Sequence, residues 1–273
     1  LTFGAPRRMA VIVRALWLRQ PDRTQVVRGP SAKAAFDAGG APTKAAIGFA
    51  KGQGVEPGDL VIRDAGGAQY VYAVKLEPGR PTAELLAEAL PRLLMAMQFP
   101  RNMRWGAYEV TFVRPIRWLL CLLGERPLRL VLPGLPASLA DPVGKSRGHR
   151  FLCPEPVHIP TPAGYIDSLR TAAVLGDPLE RRSLIARGSA RLASDVGGCV
   201  DLRDDLLDEL SWLSEHPFPV LGEFEPSNLL LPEPILVTVM QHHQRFAPVR
   251  RPDGGSLLPY FIGVRDGGRE HID

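Results

Sequence analysis

The sequence predicts an α+β fold with mixed or antiparallel sheets and interleaved helices, and three observations lead there. Strand-like and helix-like runs alternate along the 273 residues without a clean βαβ repeat. Two glycine-centred breaks, Gly66-Gly67 and Asp253-Gly254-Gly255, each separate apolar runs and signal hairpins, which pair antiparallel. One helix is marked at both ends, with Asp177 as cap, Pro178 in first position and Gly197 after the end.

Taken in order, residues 7–17 (RRMAVIVRALW) read as a buried strand with a basic start. Gly29-Pro30 breaks the chain, Ser31 can cap a short helix over 32–37, and a turn follows to Pro42. Thr43 can cap a helix through Lys51, ended by Gly52 and Gly54. Strands at 60–64 and 69–76 flank the first hairpin turn. A helical stretch over 82–97 contains Pro91, which should kink or split it. Farther on, 128–132 is a strand, and 133–142 is a Pro-rich connection expected to be mobile. A strand end at His158-Ile159 precedes helices at 161–175 and 177–196. Leu206, Leu207, Leu210 and Leu213 form the apolar face of another helix, with Asp204, Asp205, Asp208 and Glu209 turned outward. Pro217 ends it. A strand at 218–221, a helix at 232–243 and strands at 245–250 and 257–264 complete the chain.

The centre, residues 99–118 (FPRNMRWGAYEVTFVRPIRW), alternates cationic and aromatic residues. Tyr108 to Val113 has the period of a half-buried strand. Pro115 suits a first helical turn, with 116–123 as a mostly buried helix stopped by Gly124. A helix start flanked by Arg114 and Arg117 would form an anion site. A second basic knot follows in GKSRGHRF, at Lys145, Arg147, His149 and Arg150. Arginine among aromatic residues suits a phosphate chain carrying stackable bases. The candidate RNA-binding set is therefore Arg101, Arg104, Trp105, Arg114, Arg117, Lys145, Arg147, His149 and Arg150, with Trp118 to pack or stack. Two alternatives stand beside it: solvated rim arginines with buried stems, and internal latches in which RPIRW and RGHRF bind carboxylates or carbonyls.

A hydrophobic fraction of 45% and a charged fraction of 23% are those of a soluble globular protein. No apolar run approaches the roughly 20 residues of a membrane span. The first residues, LTFGAPRRMAV, have no initiator Met or signal-peptide layout, so the chain is expected to open mid-domain. The net charge of +4, carried mostly by arginine, favours an anionic partner. Cys121, Cys153 and Cys199 contain no CxxC, which argues against a disulfide framework or a cysteine zinc site and fits a reducing cytosol. Cys121 reads as a small core residue of the 116–123 helix.

Other constellations fail their own context tests. Adjacent His242 and His243 would diverge on a helix and cannot grip one metal. Gly52-x-Gly54 follows a helix rather than a strand, and Gly144-Lys145-Ser146 has only the tail of a phosphate-loop motif. Asp204, Asp205, Asp208 and Glu209 could cluster on a metal, but a solvated helix face explains them too. No Ser-His-Asp or Cys-His signature stands out. The sequence offers binding chemistry rather than a reaction centre.

Several motifs in register resemble the β subunit of bacterial heterotetrameric glycyl-tRNA synthetase. They are Pro6-Arg7-Arg8, Arg28-Gly29-Pro30, Lys33-Ala34-Ala35-Phe36-Asp37, Pro42-Thr43-Lys44-Ala45-Ala46 and Gly48-Phe49-Ala50. Met103-Arg104-Trp105-Gly106, Phe112 through Trp118, and Arg147-Gly148-His149-Arg150-Phe151 continue the match. So do Leu206-Leu207-Asp208-Glu209, Met240, His243-Gln244-Arg245-Phe246, Leu258-Pro259 and Phe261-Ile262. The resemblance implies an α2β2 ligase joining glycine to tRNA-Gly with ATP and Mg²⁺, adenylation lying on the α subunit. It implies no cofactor on this part, a cytoplasmic location, and as partners tRNA-Gly, the α subunit and a second β subunit, with no membrane. It also implies a basic N-terminal part over 1–150 and a part over 151–273 similar to the B3/B4 region of the phenylalanyl enzyme's β subunit. The family's HD-type and anticodon-binding domains are expected to be absent here. An editing hydrolase, by analogy with that region, has no nucleophile or zinc signature behind it. A docking scaffold for the α subunit is the rival role. His216 stands where the family usually has Trp, Arg265-Asp266 replace a commoner Ala-Asn, and Ile47 replaces an acidic residue.

Overall fold

The structure is a computed structural model that describes residues 1–140 and 143–269. It divides into two compact units, Ala15–Leu90 and Leu1–Arg14 with Pro91–Asp273, a different principle of division from the motif-based one at residue 150. The α+β expectation is met, and the named strand ladders are antiparallel.

In the smaller unit, Arg23–Ser31, Ala68–Glu77 and Val61–Ala65 form a sheet with Ala68–Glu77 in the centre. The expected turn joins the last two strands, with Gly66 and Gly67 at φ +63° and +81°. A turn with both central residues left-handed matches the twist of its strands, and glycine reaches that region without strain. The helices Ala32–Ala35 and Lys44–Gln53 pack on one face, where Ala35, Ala46, Ala50, Leu60, Val71 and Ala73 make a core. Thr43 precedes the second helix as expected, but its hydroxyl donates to the Ala34 carbonyl at 2.7 Å instead of capping. Thr82–Ala96 is one helix with Pro91 inside it, not two.

The larger unit is built on a four-stranded sheet in the order Cys199–Val200, Ala247–Arg250, Leu257–Asp266, Pro217–Glu223. The helices Pro178–Asp195 and Asp204–Leu213 meet it through Ile185, Ala193, Leu206, Leu207 and Leu210, which pack with Ala247, Val249 and Ile262. The first helix begins as its sequence requires: the Asp177 carboxylate accepts from the Leu179 N–H at 2.9 Å. The second turns its acids outward, and arginines meet them: Arg182 bonds Asp204 and Asp208, Arg203 bonds Asp205, and Arg245 bonds Glu209. Among the described residues no three His, Cys, Asp or Glu side chains are placed to hold a metal. Leu213 departs from the expected apolar face and is exposed.

Several expected elements differ. Residues 7–17 are not a buried strand: Arg8–Val11 pairs back on Thr2–Ala5 as a hairpin, and Met9, Val11 and Val13 are exposed. Residues 116–123 form no helix. Leu119 instead bridges Ala140, and Leu122–Leu123 pairs with Arg126–Pro127 across Gly124, whose φ of +61° turns the chain back. Cys121 is thus a half-buried residue outside any helix, and burial pushes its thiol pKa up. The strand expected at 128–132 has its alternation, with Leu128, Leu130 and Leu132 buried, but no ladder partner among the described residues. The helix expected over 161–175 is confined to Tyr165–Thr171. Of the connection 133–142, Asp141 and Pro142 lie outside the described residues, while Leu135 and Ala140 are buried. Among the described residues no helix is long and apolar enough to cross a membrane.

Candidate nucleic-acid interface

The central stretch folds as a short hairpin. Met103–Arg104 pairs with Thr111–Phe112, and the strand expected over 108–113 is reduced to those last two residues. Phe112 is buried and meets Phe99 edge-on at 4.9 Å between centroids. This anchor leaves Arg101 and Arg104 exposed. Arg104 approaches Glu109 at 3.5 Å, both side chains well exposed, and such a surface pair adds little. Arg114 and Arg117 are exposed and form no ion pair among the described residues. Because Pro115 starts no helix, the anion site expected from a helix N-terminus there is corrected: only the guanidinium groups remain. Trp105 is half-buried.

The second knot is a strand whose residues alternate. Lys145–Arg147 pairs with Pro156–His158, so Lys145 and Arg147 face out while Ser146 is buried. Arg150 is exposed, 5.8 Å from the ring of Phe151. Trp118 is half-buried beside the guanidinium groups of Arg8 and Arg147, at 5.5 and 5.6 Å from its ring centroid. It packs against cations of its own chain.

His149 does not belong on this surface. It is fully buried: its Nδ1 accepts from the N–H groups of Phe151 and Leu152 at 3.3 and 3.2 Å. That places the ring hydrogen on Nε2, which lies 3.1 Å from Asp266 Oδ1. The same carboxylate oxygen accepts from the N–H groups of Glu215 and His216, at 2.7 and 2.9 Å. His149 therefore braces the fold and leaves the candidate set.

Internal arginine latches do exist, at positions other than those expected. Arg8 Nε donates to Glu215 Oε1 at 2.8 Å, and Arg8 Nη1 to the Arg147 carbonyl at 2.8 Å. Arg7 Nε donates to Glu215 Oε2 at 2.8 Å, and Arg7 Nη2 to that oxygen and to the Gly148 carbonyl, the latter at 3.1 Å. The Glu215 side chain is 0% exposed, with those of Arg8 and Arg7 at 4% and 22%. The RGHRF segment is thus held by its carbonyls, and its exposed cations are carried on a fixed backbone. No local sequence pattern joins Arg7-Arg8 to Glu215.

His216 lies beside this latch, its ring 6.3 Å from that of His149. Burial first, and the neighbouring His149 second, hold its pKa below the ordinary histidine value, against the opposing pull of Asp266. The unfolded chain therefore takes up a proton near pH 6.5 that the folded chain resists, so this residue lowers stability as pH falls through that range. Urea unfolding between pH 7.5 and 5.5 should show a steeper acid-side loss in the native chain than in His216→Phe. Equal slopes would contradict the assignment.

The comparisons with known proteins agree with this arrangement of motifs. The family described as "Glycyl-tRNA synthetase beta subunit" matches over residues 1–273. The chain is 44% identical over 272 residues to the glycine–tRNA ligase beta subunit of Moorella thermoacetica, covering 100% of this chain and 38% of that protein. Identity is 46% over 265 residues to the corresponding protein of Desulfitobacterium hafniense, covering 97% and 37%, and 40% over 265 residues to that of Acaryochloris marina, also 97% and 37%. The chain spans less than two-fifths of the length of these relatives. With a match along its whole length and motifs in register, the chain belongs to the glycyl-tRNA synthetase beta subunit family.

Proposed function

We propose that this chain is a tRNA-gripping, accessory part of a glycine–tRNA ligase β subunit. Arg101, Arg104, Arg114 and Arg117 take phosphates of tRNA-Gly, and Lys145, Arg147 and Arg150 extend the track. In this reading glycine activation with ATP and Mg²⁺ takes place on the α subunit, in the cytoplasm. A second β subunit completes the assembly, and this part brings no catalytic centre or cofactor. The observation that supports it most is the state of the arginines. Arg101, Arg114, Arg117, Arg147 and Arg150 are exposed and form no ion pair among the described residues, while Arg7 and Arg8 are committed to Glu215. A guanidinium without a carboxylate keeps its fork of donors for a phosphate and releases counterions on binding.

The test is tRNA-Gly binding across a salt series. Arg114→Gln/Arg117→Gln should flatten the dependence of log K on log salt by about two units, since each lost phosphate contact removes about one. The thermal midpoint should stay where it is. An unchanged slope would reject the track.

The docking-scaffold reading has an observation of its own. Leu231, Ile235 and Val239 recur every fourth residue from the turn before the helix Glu233–Thr238 into the π-helical turns Val239–Gln244, and all are exposed. With Leu230 they form an apolar stripe suited to another subunit. Under that reading the salt slope would not depend on Arg114 and Arg117.

A further inference from the structure

We infer that the uncovered face of the sheet in the Ala15–Leu90 unit is a second nucleic-acid site, which stacks unpaired bases of single-stranded RNA. Register fixes the membership of this face, because directly paired residues share a side of the sheet. Tyr72 stands opposite Arg28 and Val61, Tyr70 opposite Arg63, and Val74 opposite Val26. The alternate positions Val71 and Ala73 are buried under the helices, so the tyrosines lie on the open side. Along that side Val26, Val61 and Leu76 are 42%, 41% and 63% exposed.

Two features select the occupant. The first is geometry: the Arg28 guanidinium carbon sits 3.5 Å from the Tyr70 ring centroid, and that of Arg63 sits 5.8 Å from the Tyr72 ring. Neighbouring aromatic rings and flat guanidinium planes are the surfaces on which bases stack, and the cation strengthens the stack. The second is charge. Both arginines are exposed, and neither forms an ion pair among the described residues. The carboxylates of these strands, Asp64 and Glu77, fall on the other set of alternate positions. The open face thus joins apolar and aromatic area to two cations that lie against the tyrosine rings without an ion pair among the described residues, and it carries no strand carboxylate. A purely apolar partner would leave those cations unanswered, whereas a polynucleotide supplies stacking planes and phosphates together.

This site shares no residue with the track at 101–150, and either can fail alone. The probe is accordingly a fluorescein-labelled 12-nucleotide oligo(U) or oligo(A) RNA, with a mixed-sequence RNA duplex as comparison, bound to the full chain. Single strands should bind more tightly than the duplex. Tyr70→Leu/Tyr72→Leu should weaken single-strand binding at least tenfold with little change in salt slope, while Tyr70→Phe/Tyr72→Phe should stay within twofold. Arg28→Gln/Arg63→Gln should flatten the slope by about 1.4, at about 0.7 per phosphate contact. The inference is overturned if the native chain binds no single strand, if the duplex binds as tightly, or if the leucine pair stays within twofold. Should the leucine pair fail to fold, 2-aminopurine within the single strand decides on the native and phenylalanine chains. Quenching on binding supports stacking, and its absence overturns it.

Discussion

Glu215→Ala should destabilise the larger unit by about 3–5 kcal/mol, because removing one partner of a buried ion pair leaves the other charge uncompensated. The carboxylate has no exposed surface and serves two guanidinium groups, one of them almost wholly buried. With it gone, the Arg147 carbonyl still accepts from Arg8 and the Gly148 carbonyl from Arg7, but neither supplies a countercharge. The thermal midpoint should fall by at least about 6 °C, at roughly 2–4 °C per kcal/mol for a chain of this size. Glu215→Gln keeps one acceptor oxygen, loses the charge and turns the other oxygen into an NH2 donor, so it should fall between the native chain and the alanine variant. Urea unfolding checks the order. A loss below about 1 kcal/mol for the alanine variant would show that the latch is not what holds the N-terminal hairpin's arginines.

Arg181→Ala should have the second large effect. Arg181 is fully buried in the helix Pro178–Asp195 and ends on carbonyls from three separate segments: Ser211 at 2.7 Å, Leu175 at 2.6 Å and Gly4 at 2.8 Å. Burial lowers its pKa, with Asp177 and Glu215 pulling the other way, and the Trp212 ring lies 5.6 Å from its guanidinium carbon. Truncation leaves three acceptors in a place built for one side chain, at about 1–3 kcal/mol for each one left unpaired. A loss of about 3 kcal/mol or more in urea unfolding is expected. Arg181→Lys should recover only part, since a single ammonium cannot span the fork. A variant with the stability of the native chain would contradict this role.

Elements with local signals were legible in the sequence. The helix from Pro178 was readable because each of its ends is marked by adjacent residues, Asp177-Pro178 at the start and Gly197 at the finish, and the two hairpins because their turns require glycine. Residues 116–123 were not. An apolar run of that length fits a buried helix or an extended segment equally well, and the choice was made by pairing with residues outside the run: Leu119 with the remote Ala140, and Leu122–Leu123 with Arg126–Pro127 across the Gly124 turn. The candidate surface divides the same way. Lys145 and Arg147 follow strand alternation and face out, as their spacing allows. His149 sits two residues farther on, beyond the strand, and is fully buried beside Asp266. The latch was the least legible part, since Arg7 and Glu215 are 208 residues apart in sequence and no periodicity relates them. Arginine type alone could not separate a brace from an exposed, unpaired arginine; burial and partners do.

One set of single variants tests that separation. Arg7→Gln, Arg8→Gln, Arg114→Gln, Arg117→Gln and Arg147→Gln are each assayed for thermal midpoint and for the salt slope of tRNA-Gly binding. Arg7 and Arg8 should lose stability and, where still folded, keep the slope. Arg114, Arg117 and Arg147 should keep their midpoints and each flatten the slope by about one unit. Variants that lost both properties together, or a flat slope in the native chain, would contradict the division of the arginines into braces and phosphate ligands.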